Sequence, residues 1–340
     1  MGGPEQGVVA AVGAYVSEVV GCPPGCITAV SRFHDGNRHA VHKVSYLSAD
    51  GAVEDVVVRV SFDGAPADCA QAEREARVLR RVGGLAAPRL YDFRCTSPWF
   101  DTPIMCMEFL PGSAQELGSA TPEELERLGR VVAALHERPV DGLAAPLGAT
   151  DDIASYAESR LESILSGLAW VRAPLPALIR DRLEGAAGSL GTCWEVWRDA
   201  ACFRTGETLA LLHGDIGPGN VLWSPDPAMI DWEYTRLGDP ADEIAYLFDQ
   251  NGLGAPRREA FWRGYREGKR SQVHLAHGVH RVDWWERLTL FGSTLWWVER
   301  WVRRTEADAA GAADPNVPRG QAYYLDHVTR RLDRLNQLLA

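Results

Sequence analysis

The spacing of apolar positions changes near residue 110. From residue 27 to about 110 they alternate with polar ones or run in short blocks, as on strands, with one helical stretch between; beyond it they recur every three or four residues, as on helix faces. Residues 40–48 and 53–60 read as strands around the turn pair Asp50-Gly51, a hairpin signal because Gly tolerates positive φ. Side chains alternate along a strand, so Val57 and Arg59 share one face while Val56, Val58 and Val60 share the other. The stretch 66–82 predicts a helix with Ala72, Glu75, Ala76 and Leu79 on one side and a Gly83-Gly84 stop, which puts the acid Glu75 on the buried-looking side. A strand at 104–110 is broken by Pro111-Gly112-Ser113.

Thr121-Pro122-Glu123-Glu124 then reads as a capping box, with Thr at the N-cap, Pro at the tolerant first position and Glu three residues on. Leu125, Leu128, Val132 and Leu135 give the core stripe of that helix. Residues 151–200 predict two or three amphipathic helices interrupted by Pro174 and Pro176. Further on, Trp284, Leu288, Phe291, Leu295, Val298 and Val302 form one apolar helix stripe, with Trp297 and Trp301 off it and four residues apart.

At roughly 150 residues per domain, the 340 residues and the change of period imply two lobes: 1–107, a hinge at 108–113, and a helical lobe at 114–340. The 46 Asp+Glu against 35 Lys+Arg argue against nucleic acid as the main partner, because neutralising phosphate needs a basic surface. The apolar run 8–16 ends at Ser17-Glu18 with no Lys or Arg ahead of it, so neither an export signal nor a membrane partner is expected and the expected location is the cytoplasm. Seven Cys, odd in number and scattered, read as reduced thiols, and the Cys22 and Cys26 pair has no second pair to complete a zinc site. His274, His277 and His280 read as a solvated face.

The chemistry is concentrated between residues 211 and 233. An apolar lead-in ends in His213-Gly214-Asp215, Asn220 comes five residues after that Asp, and a short apolar strand follows. Met229-Ile230 then leads into Asp231-Trp232-Glu233, so two strands flank a turn and Asn220 and Asp231 can converge. A hard cation such as Mg²⁺ takes an Asn carbonyl and an Asp carboxylate beside phosphate oxygens. A second carboxylate, Asp215, can orient a hydroxyl and accept its proton as it attacks a γ-phosphate. Asp-x-x-x-x-Asn followed by an acid after the next strand is the kinase catalytic-loop pattern.

These segments resemble the aminoglycoside phosphotransferase and choline kinase-like family, small-molecule relatives of protein kinases. His213-Gly214-Asp215 with Asn220 resembles its catalytic loop, and Ile230-Asp231-Trp232-Glu233 followed by Gly238-Asp239-Pro240 its metal-binding segment. The resemblance implies an α+β, bilobal protein-kinase-like fold with a small antiparallel-sheet lobe plus one helix and a larger, mainly helical lobe. It implies an enzyme that uses Mg²⁺ and ATP or GTP, with Asp215 as base, His213 orienting the loop, and Asn220 and Asp231 as metal ligands. Arg59 would clamp phosphate with Glu75 as its anchor, Val57 would lie over the purine, and Gly36 and Asn37 would sit in the phosphate-covering turn. Met107, Glu108 and Leu110 would form the hinge that meets the purine edge. Glu233, Trp297 and Trp301 would wall the acceptor.

Trp232-Glu233 stands where protein kinases have Phe-Gly, and no Ala-Pro-Glu follows, which argues against a regulated protein kinase. Either Glu243 or Asp242 would support the catalytic loop. The acceptor is expected to be a hydroxylated small molecule, an antibiotic before a metabolite such as choline, homoserine or a sugar; a non-catalytic nucleotide-binding scaffold is the alternative from another class.

Overall fold

The computed structural model describes residues 4–33, 39–143, 147–148, 150–170, 175–224, 226–314 and 316–340. In chain order its elements are α1 (Pro4–Val20), β1 (Ile27–Arg32), β2 (His39–Leu47), β3 (Val53–Ser61), α2 (Pro66–Val82), β4 (Leu90–Arg94), β5 (Ile104–Glu108) and β6 (Ser113–Ala114). They continue as α3 (Pro122–His136), α4 (Ile153–Trp170), α5 (Ala177–Trp197), β7 (Ala210–Leu212), β8 (Val221–Trp223), β9 (Ala228–Met229) and β10 (Arg236–Gly238). The last four are α6 (Pro240–Gln250), α7 (Ala255–Gly268), α8 (Gln272–Ala310) and α9 (Gln321–Leu339). The chain separates into two compact units, Met1–Ala120 with His213–Thr235, and Thr121–Leu212 with Arg236–Ala340.

The first unit is built on an antiparallel sheet in the order β1-β2-β3-β5-β4. The β2–β3 hairpin turns at Asp50-Gly51, where Gly51 takes φ +83°, and runs in register from Leu47 opposite Val53 to His39 opposite Ser61. Val56, Val58 and Val60 face one core with Val44, Ile104 and Cys106. Helix α1 closes that core with Val12, Tyr15 and Val16, and burying side chains of this size stabilises by roughly 1.5–3 kcal/mol each. The pattern reading does not single out α1, because six Val and two Gly dilute its helix propensity; burial against the sheet supplies what propensity lacks. Helix α2 spans the stretch that its periodicity predicts, with Glu75 among its buried residues.

One expectation is corrected in this unit. Cys69 on α2 and Cys95 just after β4 are joined in a disulfide, with Cα atoms 5.4 Å apart, so the seven cysteines are not all reduced thiols. Their separation of 26 residues hides the pair, since the fold and not the spacing brings the two Cα atoms into bridging range. Cys22, Cys26, Cys106, Cys193 and Cys202 are free.

A second, three-stranded sheet in the order β6-β8-β9 ties the segment after residue 108 to the segment after Asn220. Gly112 makes the approach possible: its φ is +144°, and a Cβ there would fall 2.8 Å from the Trp223 carbonyl oxygen.

The second unit is helical apart from the antiparallel β7–β10 pair, in which Leu212 stands opposite Arg236. The capping box at Thr121 is present in full, and Leu125, Leu128, Val132 and Leu135 are buried as expected. Helices α3 and α7 approach at glycines, since a Cβ on Gly264 would overlap the Glu126 carbonyl. Asp239 caps α6 by accepting from the Ala241 N–H at 3.0 Å. His274 and His280 lie exposed on the first turns of α8, and His277 stands 3.4 Å from Glu207. Among the described residues no helix is long and apolar enough to cross a membrane.

Candidate active site

The loop from His213 to Asn220 is held from beneath by its own histidine. His213 is fully buried, its Nε2 donates to the Ile230 carbonyl at 2.9 Å, and its Nδ1 accepts from the Asp215 N–H at 3.2 Å. One nitrogen donating and one accepting is the neutral imidazole, with both positions spent on backbone groups. Its ring packs on Trp232, 4.6 Å between centroids, and Trp232 in turn donates Nε1–H to the Met229 carbonyl at 2.9 Å. This histidine is therefore suited to orienting Asp215 and not to carrying a proton to a substrate.

Asn220 closes the loop from the other end. Its Nδ2 donates to the Asp215 carboxylate at 2.9 Å and to the Asp215 carbonyl at 3.0 Å, which leaves Oδ1 as the acceptor that the amide has to offer. The β8–β9 ladder pairs Val221 with Met229, and the Ile230 N–H donates to the Asn220 carbonyl at 3.0 Å. That bond sets Ile230, the residue before Asp231, against the Asn220 backbone. Asp231 has a left-handed backbone, φ +65°, ψ +68°, a costly conformation for a residue with a Cβ. Its side chain remains 41% exposed, unlike the acids buried elsewhere in the chain.

Arg59 reaches this point from β3. Its guanidinium pairs with Glu75 on α2 and lies 3.4 Å from Asp231 Oδ1, with Arg59 and Glu75 both buried. Burial alone would lower the Arg59 pKa; the charges of Glu75, Asp231 and Glu233 outweigh it and raise the value, so the cation is secure. Gln71, one turn before Glu75, extends Nε2 to Glu233 Oε2 at 3.4 Å. The sequence reading missed Gln71, although its four-residue spacing from Glu75 placed it on the same side of the helix.

Val57 stands directly opposite Met107 in the β3–β5 ladder, and direct partners share a face, so Val57, Met107 and Arg59 line one side of the sheet. The Glu108 N–H donates to the Arg89 carbonyl at 2.8 Å, and its side chain accepts from the Arg89 N–H at 3.1 Å. The Glu108 N–H is thereby engaged and is not open to a ligand. Leu110 is half-buried. Gly36 and Asn37 lie outside the described residues.

The two tryptophans expected at an acceptor are otherwise engaged. Trp297 stacks face to face on His327 of α9, 3.9 Å between centroids and 4° between planes, and Trp301 is buried in the same helical unit. Of the two candidate supports for the loop, Asp242 binds Tyr156 Oη at 2.6 Å and Arg236 at 2.9 Å, while Glu243 binds His136 Nε2 at 2.8 Å. Sequence reasoning also passed over Arg281, which is almost fully buried and donates to both Asp239 and Glu207.

The donor set suits Mg²⁺. Asn220 Oδ1 and the half-exposed Asp231 carboxylate are hard oxygen donors, and Mg²⁺ is commonly held by one or two such groups plus substrate phosphates and water. Among the described residues no cluster of three or more His, Cys, Asp or Glu with metal-holding geometry occurs.

Comparison with known proteins gives the chain a family and a fold. The sequence profile of the phosphotransferase enzyme family matches residues 36–276. Protein StrN of Streptomyces griseus is 26% identical over 226 residues, a match that spans 56% of this chain and 66% of that protein's length. Among solved structures, an aminoglycoside phosphotransferase assigned in Ralstonia eutropha superposes with a TM-score of 0.65 at 16% identity, covering 97% of this chain and 96% of the other. Choline kinase LicA of Streptococcus pneumoniae gives 0.60 at 14%, covering 96% and 97%. A variant of the aminoglycoside phosphotransferase APH(4)-Ia in complex with ADP and hygromycin B gives 0.57 at 16%, covering 97% and 98%. These likenesses show the protein-kinase-like fold shared by aminoglycoside phosphotransferases and choline kinases. The chain belongs to the phosphotransferase enzyme family.

Proposed function

We propose that this enzyme transfers the γ-phosphoryl group of ATP or GTP to a hydroxyl of an antibiotic, of which an aminoglycoside is the first choice, and so inactivates it. The observation that carries the reaction is the Asp215–Asn220–Asp231 arrangement with Arg59 bridging Glu75 and Asp231. Asp215 receives the acceptor's hydroxyl proton and aligns its oxygen for in-line attack. Asn220 holds Asp215 through its amide nitrogen and turns its carbonyl oxygen, together with Asp231, to Mg²⁺. When bound, that ion neutralises charge on the transferring phosphates. Arg59, anchored by Glu75, holds the phosphate chain, and Val57, Met107 and the Glu108 carbonyl receive the purine. His213 keeps Asp215 in place.

The antibiotic reading is supported by the family and by relatives such as the hygromycin B complex. A metabolic kinase of choline type is the second reading, supported by the likeness to choline kinase LicA. A mass-spectrometric screen of hydroxylated antibiotics and metabolites with ATP and GTP separates the two. Turnover of a primary metabolite with failure of every antibiotic overturns the first. Asp215→Asn is expected to bind nucleotide normally while acceptor phosphorylation falls about 10²–10⁴-fold, the usual worth of a positioned base; retained turnover removes Asp215 from that role.

A further inference from the structure

We propose that the Cys69–Cys95 disulfide is a reversible redox tether that holds helix α2, and with it Glu75, where Arg59 meets it. Its effect on turnover rests on the phosphate role given to Arg59 above, whereas the tether itself rests on geometry alone. Cys69 lies in the first turn of α2; Gln71, which reaches Glu233, follows two residues later, and Glu75, which pairs with Arg59, six residues later. The disulfide therefore grips the same two turns that carry both side chains α2 sends to the site.

The N-cap residue is Ala65, which offers no side-chain cap, and Pro66 and Ala67 are exposed. The far end of the tether is firm. Tyr15 of α1 donates to Asp92 of β4 at 2.9 Å, and Arg94 of β4 donates to Glu18 of α1 at 2.9 Å, which fixes β4 to the sheet core just before Cys95. A buried guanidinium that loses its carboxylate is costly, so a drift of α2 that withdraws Glu75 changes how Arg59 is presented to an anion.

The cysteine chemistry favours a reversible bond over a structural one. Five of the seven cysteines are thiols, and burial pushes the Cys106 thiol up to about 12, which makes it inert. Cys69 and Cys95 are half-buried and open to exchange. An isolated, accessible disulfide beside free thiols is the labile kind. Oxidation passes two electrons and two protons from the two thiols to a small disulfide such as oxidised glutathione, which leaves as two thiols; a dithiol reductant reverses it.

The test uses the whole protein across a series of oxidised and reduced glutathione ratios. Alkylation after unfolding, read by mass spectrometry, should count five free thiols at the oxidising end and seven at the reducing end. Amide hydrogen exchange over residues 66–75 should rise with the same midpoint, and KM for the nucleoside triphosphate should rise about 5-fold or more while kcat changes less. Cys69→Ser and Cys95→Ser should each reproduce the reduced state and ignore glutathione; where either fails to fold, the titration of the unmutated protein decides. A free-thiol count that stays at five or at seven across every ratio, or exchange over 66–75 that ignores the thiol state, overturns the tether. Redox-dependent exchange without phosphotransfer in either state upholds it and counts against the proposed function.

Discussion

Asp231 in the sheet-bearing unit and Asp239 in the helical unit stand eight residues apart in the chain and answer to different demands. Asp231 sits on a left-handed backbone, is 41% exposed, and has one long contact, 3.4 Å to Arg59. Asp239 has an ordinary extended backbone, is wholly buried, caps α6, and accepts from Arg281 Nε and Trp285 Nε1 at 2.7 Å each. Strain and unspent lone pairs collect at the candidate site, and full satisfaction collects where helices must be locked. Glu243 and Asp249, also buried and hydrogen-bonded, belong with Asp239.

The strongest way to break this contrast is Asp231→Gly. Loss of a carboxylate from the cation site is expected to cut turnover about 10³-fold, several kcal/mol of transition-state stabilisation. Glycine accepts φ +65° freely, so the melting temperature should hold or rise, because about 1 kcal/mol of backbone strain is released. A variant that loses stability and keeps turnover would place Asp231 with the scaffold acids. Arg281→Ala probes the other side. It leaves Asp239 and Glu207 buried without their cation and should cost about 3–5 kcal/mol in denaturant unfolding. A cost below about 1 kcal/mol would mean that this network is not what locks the helices.

How far each half could be read in advance follows the same divide. The candidate site residues were legible because the chemistry proposed for them imposes short, ordered spacings: His213 to Asn220 is one loop, Asp231 lies one hairpin on, and strand alternation placed Arg59 on the face opposite the Val core. What escaped depends on contacts between distant segments. Arg281 meets Asp239 and Glu207 across 42 and 74 residues, the disulfide spans 26, and α1 owes its place to burial against a sheet that its own sequence does not announce. Trp297 shows the same limit, an off-stripe aromatic whose ring stacks on His327 from a helix the pattern could not place beside it.

Acid should sharpen the contrast further, with a smaller effect. Burial by itself would raise the carboxyl pKa of Asp242, but Arg236, Arg160 and the Tyr156 hydroxyl outweigh it and hold the value below the ordinary range. Burial likewise opposes, and Arg281 overcomes, in lowering that of Glu207. A carboxyl whose folded-state pKa lies below its unfolded one adds stability in full above the unfolded value, about 3.9 for Asp and 4.3 for Glu, and loses it as pH falls through the folded value. The helical unit should therefore begin to lose stability below about pH 4. Asp242→Asn should flatten that acid limb in circular dichroism titrations, and an unchanged limb would remove Asp242 from the account.

The smallest effect separates the ways in which two helices begin. Helix α3 starts with a complete capping box, Glu124 N–H on Thr121 Oγ1 at 3.2 Å and Thr121 N–H on Glu124 Oε2 at 2.8 Å, whereas α2 starts from an uncapped Ala65 beside a disulfide. Thr121→Ala removes one acceptor from an exposed end whose next turns are pinned by the buried Leu125 and Leu128, so the loss should stay near 1 kcal/mol. Thr121→Ser keeps the oxygen and should recover most of it. The cost should also be the same in oxidised and reduced protein, because α3 relies on hydrogen bonds at the point where α2 relies on sulfur. A redox-dependent cost at Thr121 would mean that the start of α3 is also governed by the thiol state of the Cys69–Cys95 pair.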